Sequence, residues 1–222
     1  MKRVSLVIVA AAVAAAGVVD AAELSGTVSL VRRGKPSRLG DLRDAVVWFE
    51  PKGKVEQPGL RQDPYVMTTK NKEFDPHVLV VRRGEKVRFP NQDPILHNVF
   101  SVSGKNSFDL GFYKTGPGET VTFQESGLVR VFCNVHHAMV AYVMVLDAPF
   151  SARPDADGRF RLSVPDGGGT LHVWHERSDP VSVPVAPGAA VIGKVELEVS
   201  RPRVPQHTNK HGQAYAPTSS YE

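Results

Sequence analysis

The sequence predicts an all-β protein assembled from small sandwiches. Three observations carry this expectation. No long apolar pattern of period 3.6 runs anywhere after residue 22. Short valine-rich runs recur instead, each closed by Gly, Pro, Asn or Asp. Their spacing, about 8–12 residues, is that of strands in a sandwich. Stretches such as Lys86-Val87-Arg88-Phe89 alternate polar and apolar side chains, as a sheet with one face toward a core does.

Taken in order, residues 1–22 come first. Lys2 and Arg3 precede an apolar, alanine-rich run from Val4 to Val19, and Ala21 and Ala22 supply small residues for cleavage. That is the layout of a secretory signal peptide, and the run is short for a membrane span of about 20 residues. Residues 23–58 hold two strand-like runs, "LSGTVSLV" and "DAVVWFEP". The polar linker "EPKGKVEQPGLRQDP" follows. In 59–148, "HVLVVRRGEKVRFPN" reads as a strand, a turn at Arg83-Gly84 and a second strand; "ILHNVFSVS", "ETVTFQES", "GLVRVFC" and "VAYVMVLD" continue the series. A second linker, "LDAPFSARPDADG", leads into 149–200 with "GRFRLSVP", "TLHVWHE", "PVSVPVAP" and "GKVELEVS". Residues 201–222 have no apolar period and little to bury, so they are expected to be disordered.

The formal net charge is +4. Lys2 and Arg3 near the start, and Arg201, Arg203 and Lys210 in the tail, carry most of it, leaving a nearly neutral body. Such a body has no electrostatic footprint for nucleic acid. The chain has a single cysteine. In an exported protein an odd thiol is an intermolecular partner, a reactive group, a metal ligand, or a small buried apolar side chain.

That cysteine lies in "VRVFCNVHHAMVAYVMVLD", with His136 three residues after Cys133 and Met139 three after that. One thiolate, two imidazoles and a weak axial thioether suit an ion that cycles between Cu(I) and Cu(II). The second imidazole must come from elsewhere, and His97 in "FPNQDPILHNVFS" is the candidate. A tight loop between the strands "GLVRVFC" and "MVAYVMVLD" can aim Cys133, His136 and Met139 at one centre. His137 adjoins His136 and is expected to point elsewhere. Met144 is expected to pack in the core.

Cys-x2-His-x2-Met resembles the ligand loop of amicyanin-like blue copper proteins. "HNVFS" resembles the first-histidine segment of plastocyanins and amicyanins. The wider stretches "FDPHVLVVRRGEKVRFPNQDPILHNVFS" and "GETVTFQESGLVRVFCNVHHAM" resemble the opening and closing strands of the cupredoxin Greek-key β-sandwich. The resemblance implies one mononuclear type 1 copper held by His97, Cys133, His136 and Met139. It implies that Asn98 helps tie the two ligand segments together. It also implies an electron port at His136 within an apolar patch, with His137, Ala138 and Pro94 as its lining.

Outside that region, "LSGTVSLVRRGKPSRLGDLRDAVVWFEP" and "PFSARPDADGRFRLSVPDGGGTLHVWHE" resemble the two ends of a carboxypeptidase regulatory-like, transthyretin-type β-sandwich. The copper domain would then lie inserted in or beside it. His172 and His175 sit three apart on a predicted strand and face opposite sides, so they cannot chelate one ion. Asp155, Asp157 and Gly158 lack the glutamate of a calcium loop and read as a β-turn. His207 and His211 fall in the solvated tail.

The function expected is single-electron transfer in the periplasm. The partner would be a c-type cytochrome or a periplasmic dehydrogenase, with a link to amine oxidation suggested by amicyanin. Two alternatives are a periplasmic copper chaperone or buffer, and a metal-free β-sandwich interaction protein. An enzyme is the least favoured class, because a type 1 centre has no open coordination position and no second ligand set stands out.

Overall fold

The computed structural model describes residues 21–215. Most of the predicted leader, residues 1–20, lies outside them; Ala21 and Ala22 already belong to the first strand and pair with Pro165 and Val164. Among the described residues, no helix is long and apolar enough to cross a membrane.

The chain runs in three stretches. The first contributes β1 (Ala21–Arg32), β2 (Lys35–Pro36) and β3 (Val46–Pro51). The second, the central module, opens with β4 (Tyr65–Val66), β5 (Thr68–Lys70), β6 (Glu73–Asp75), β7 (Val78–Arg82) and β8 (Lys86–Arg88). It continues with β9 (His97–Ser101), β10 (Phe108–Tyr113), β11 (Thr120–Thr122), β12 (Gly127–Cys133) and β13 (Val140–Leu146). The third returns with β14 (Ser151–Ala152), β15 (Arg159–Pro165), β16 (Gly169–Trp174), β17 (Val181–Val185) and β18 (Val191–Glu198).

The outer stretches build one flanking module together. Its first sheet runs β15-β1-β18, and its second runs β14-β3-β16-β17. Each sheet therefore takes strands from both sides of the central module. Leu24, Val28, Phe49, Phe160, Leu171 and Leu197 pack between the two sheets. The turn before β15 closes on Asp155, whose carboxylate accepts from the backbone N–H groups of Asp157 and Arg159 at 2.9 Å each. Gly158 sits there at φ +81°, and a Cβ on it would lie 2.1 Å from the carbonyl oxygen of Val28, so only glycine fits. This is the β-turn expected at that motif.

The central module stacks the sheet β10-β9-β12-β13-β7 against β11-β8-β4, with β5 and β6 as a hairpin beside them. Every residue of β13 is buried. Successive side chains on a strand point to opposite faces, and both faces of this one are covered. Ala141, Val143 and Val145 enter the module's own core. Val140, Tyr142, Met144 and Leu146 face a second cluster, which they share with Val46 and Trp174 of the flanking module. That is why this strand reads as a continuous apolar run rather than an alternating one. Met144 packs in that shared cluster.

The shared cluster is the seam between the modules, and it is bonded as well as packed. Tyr142 meets Trp174 edge-on at 5.3 Å. His77 Nε2 lies 2.6 Å from Glu176 Oε2, and Arg153 Nη1 donates to the carbonyl of Val78 at 2.7 Å. The end of the first linker is tied down too: Arg82 donates to the carbonyls of Pro58 and Gly59, and the buried Glu85 accepts from the Arg61 backbone N–H at 3.1 Å. The disorder expected from Arg201 onward does not describe 201–215. Val204 packs on the seam, and His207 stacks on Phe132.

Candidate metal centre

Strand alternation decides which side chains reach the interior. On β12, Val129, Val131 and Cys133 enter the central core, while Phe132 turns to the seam. Cys133 is fully buried at the strand's end. The chain then turns back through 134–139. The Met139 backbone N–H donates to the His136 carbonyl at 3.0 Å, and the Cys133 N–H reaches the Met139 carbonyl at 3.4 Å. One short loop thus carries Cys133, His136 and Met139. Met139 is buried in the same core cluster as Cys133.

His97 opens β9, the strand beside β12, with Cys133 in register with Val99. The loop is pinned to β9 where the Asn134 N–H donates to the Asn98 carbonyl at 2.9 Å. Asn98 therefore joins the two ligand segments through its backbone. Its side-chain amide donates instead to Asp109 Oδ1 (2.6 Å) and the Gly111 carbonyl (2.9 Å), tying β9 to β10.

Three donor atoms converge. Cys133 Sγ lies 3.5 Å from His97 Nδ1 and 3.8 Å from His136 Nδ1, and the two Nδ1 atoms are 3.2 Å apart. Among the described residues, this is the only group of three or more His, Cys, Asp or Glu side chains so arranged. His137 does not join it; it is half-buried, with its ring 3.6 Å from that of Tyr215.

Sequence reasoning missed the residue that aims His97. Asp93 Oδ2 sits 2.9 Å from His97 Nε2. A carboxylate there makes Nε2 the donor and leaves the Nδ1 lone pair facing Cys133 and His136. Asp93 is itself held at several points. Its Oδ1 accepts from the Asn71 N–H at 2.6 Å and its Oδ2 from the Lys72 N–H at 2.9 Å. Asn71 and Lys72 form the tip of the β5–β6 hairpin at φ 55° and 58°. Their left-handed backbone turns both N–H groups toward the carboxylate. Asn91 Oδ1 accepts from the Asp93 N–H at 2.8 Å, and Thr115 donates to its carbonyl at 2.5 Å. The only signal in the sequence was an acidic residue four before His97 in a proline-containing turn.

The electrostatics suit neutral imidazoles. Burial pushes the His97 ring below the usual histidine range, against the opposing pull of Asp93. Burial lowers His136 as well, helped by the neighbouring His97. Burial alone would raise Asp93, but the Lys72 and Asn71 N–H groups, then His97, outweigh it and hold its carboxyl below the usual range. Around the centre, Pro94, Ile95, Leu96, Phe112 and Ala138 remain exposed.

The donor set can be tested against copper on its own chemistry. Two imidazole nitrogens and one sulfur meet in a largely buried pocket, one nitrogen already fixed in its unprotonated form. A soft or borderline transition metal fits this set; a hard oxygen-seeking cation does not.

No family model matches the chain, and no curated protein does. Solved structures similar to it include a purple cupredoxin from Nitrosopumilus maritimus, at 21% identity and a TM-score of 0.34, covering 37% of this chain and 99% of that one. A reduced amicyanin variant is similar at 20% identity and TM-score 0.36, covering 45% of this chain and 98% of that one. A copper-containing nitrite reductase from Thermus scotoductus is similar at 22% identity and TM-score 0.37, covering 44% of this chain but only 25% of that one.

Proposed function

We propose that this chain is a type 1 copper protein that carries single electrons. The observation behind this reading is the convergence of His97 Nδ1, His136 Nδ1 and Cys133 Sγ within 4.8 Å of one another, with Cys133 and His97 fully buried. Bound there, copper would supply a one-electron couple. The protein's own part is to hold the donors in place. Asp93 orients His97, the Asn98–Asn134 bond couples the two ligand segments, and Met139 is the candidate weak axial ligand. The packed core around Cys133 excludes water. A rigid donor set of this kind suits both oxidation states and keeps reorganisation small.

His136 is half-buried beside the exposed apolar residues, which makes it the proposed exchange point with a redox partner. A c-type cytochrome or a periplasmic dehydrogenase is the proposed partner class, and the periplasm the proposed compartment. A copper chaperone or buffer is the second reading, since it needs the same soft ligands in a more exchangeable site.

The experiment is a titration of metal-free protein with Cu(II), followed by visible absorption and EPR. Electron transfer predicts an intense thiolate-to-copper band at one equivalent and a reversible couple. A weak, ordinary Cu(II) spectrum would reject it and favour the handling role.

A further inference from the structure

Residues 204–215 touch the ligand loop at two points and the strand leading into it at a third, and each contact falls on a neighbour of a proposed ligand. The His207 ring stacks on Phe132, the residue before Cys133, at 4.1 Å and 7° between planes. The Lys210 backbone N–H donates to Asn134 Oδ1, the residue after Cys133, at 3.2 Å. The Tyr215 ring lies against His137, the residue after His136. Lys210 also reaches outward: its Nζ pairs with Asp109 Oδ2 at 2.7 Å and lies 5.1 Å over the Phe112 ring. Since Asp109 holds the Asn98 side chain, the segment bridges both ligand-bearing parts of the centre.

We propose that this segment is a removable strap that holds the 133–139 loop closed, so that metal enters or leaves only when the strap lifts. Val204, packed on the seam, is its anchor. The far side of the strap is weakly held. His207 Nδ1 donates to the Pro205 carbonyl at 2.9 Å, which leaves the buried Nε2 with no partner among the described residues. Among the described residues, the Tyr215 hydroxyl also has no partner. Each orphaned polar atom offsets part of what the stacking and burial of its ring contribute. A segment so held belongs to the low-stability end of a fold, where local opening is frequent. The ligand loop beneath it is closed by few backbone bonds of its own, from the Met139 N–H to the His136 carbonyl and from the Cys133 N–H to the Met139 carbonyl.

The consequence for metal exchange rests on the copper reading; the strap itself does not. The test uses the full-length protein with His207→Ala, Lys210→Ala and Tyr215→Ala combined. In metal-free protein, amide hydrogen exchange across 133–139 is expected to rise about tenfold, the loss of one to two stacking-sized contacts. In protein loaded with Cu(I), transfer of the metal to bathocuproine is expected to quicken about tenfold, while the Cu(II)-loaded variant keeps its visible band unmoved. Unchanged exchange in the metal-free variant would overturn the strap. So would an unchanged transfer rate in a variant that loads copper. A wild type that binds no copper would defeat the function proposed above, while the exchange measurement would still decide the strap. Tyr215→Ala alone, which removes only the outermost contact, is expected to show a smaller rise in both rates.

Discussion

His97 and His175 are both fully buried histidines, one in each module, and burial lowers the pKa of both. They are wired in opposite ways. At His175 both nitrogens are spent: Nε2 donates to the Asp41 carbonyl at 3.1 Å, and Nδ1 accepts from the Arg177 N–H at 3.0 Å. At His97 only Nε2 is spent, on Asp93, and Nδ1 faces a thiol and a second imidazole. The contrast teaches that burial does not make a histidine a ligand. What matters is whether its second nitrogen is left without a partner and aimed at other donors. His175 is a satisfied structural residue, and His97 is one donor of the candidate centre.

The largest effect that would test this contrast is at the sulfur. Cys133→Ser is expected to abolish the intense visible band of copper-loaded protein; a band that survives would mean the thiolate is not a ligand. Next comes the orienting carboxylate. Asp93→Ala is expected to lower copper affinity by about 10–100-fold, the usual cost of losing such a support, read by competition with a chelator. Equal affinity would show that the His97 ring is held by packing alone. His175→Ala tests the other half. It is expected to leave copper stoichiometry untouched while destabilising the fold by about 1–3 kcal/mol in urea, because the Arg177 N–H loses its partner and the Asp41 carbonyl loses one of its two donors. A change in metal content with that variant would break the comparison.

The smallest effect is in pH. Burial holds the folded His175 pKa below the unfolded one. Its contribution to stability is therefore complete above about pH 6.5 and is lost as pH falls toward the folded value, where only the unfolded chain takes the proton. His97 and the half-buried His136, both lowered by burial, act in the same direction in metal-free protein. Melting of the metal-free protein is expected to fall between pH 7 and pH 5. His175→Gln should reduce that fall by about 2–4 °C. An identical fall in the variant would remove His175 from the account.

Much of the candidate centre was legible because transition-metal ligation is selective about residue type and the loop is short. A cysteine, a histidine and a methionine at three-residue steps can be aimed at one centre by a tight loop between strands, and the sequence places such a loop there. His97 was legible from the segment around it. Asp93 was not, because its role comes from two hairpin N–H groups more than 20 residues earlier, at Asn71 and Lys72. The tail was misread because its contacts are individually weak. His207, Lys210 and Tyr215 form no apolar period, and each gains a partner only where the central module happens to present Phe132, Asp109 and His137.

By itself the sequence determined the all-β class, the strand runs and the chemical kind of the donor set. These depend on side-chain alternation, turn residues and ligand softness, all local properties. Tertiary structure decided the rest. It joined β1 and β3 to strands 100 residues and more away in sequence, and covered the outer face of β13 with Trp174. It turned Asp93 onto His97, and it laid the tail over the ligand loop. Each of these depends on a partner remote in sequence, and a remote partner leaves no period or spacing in the segment that receives it.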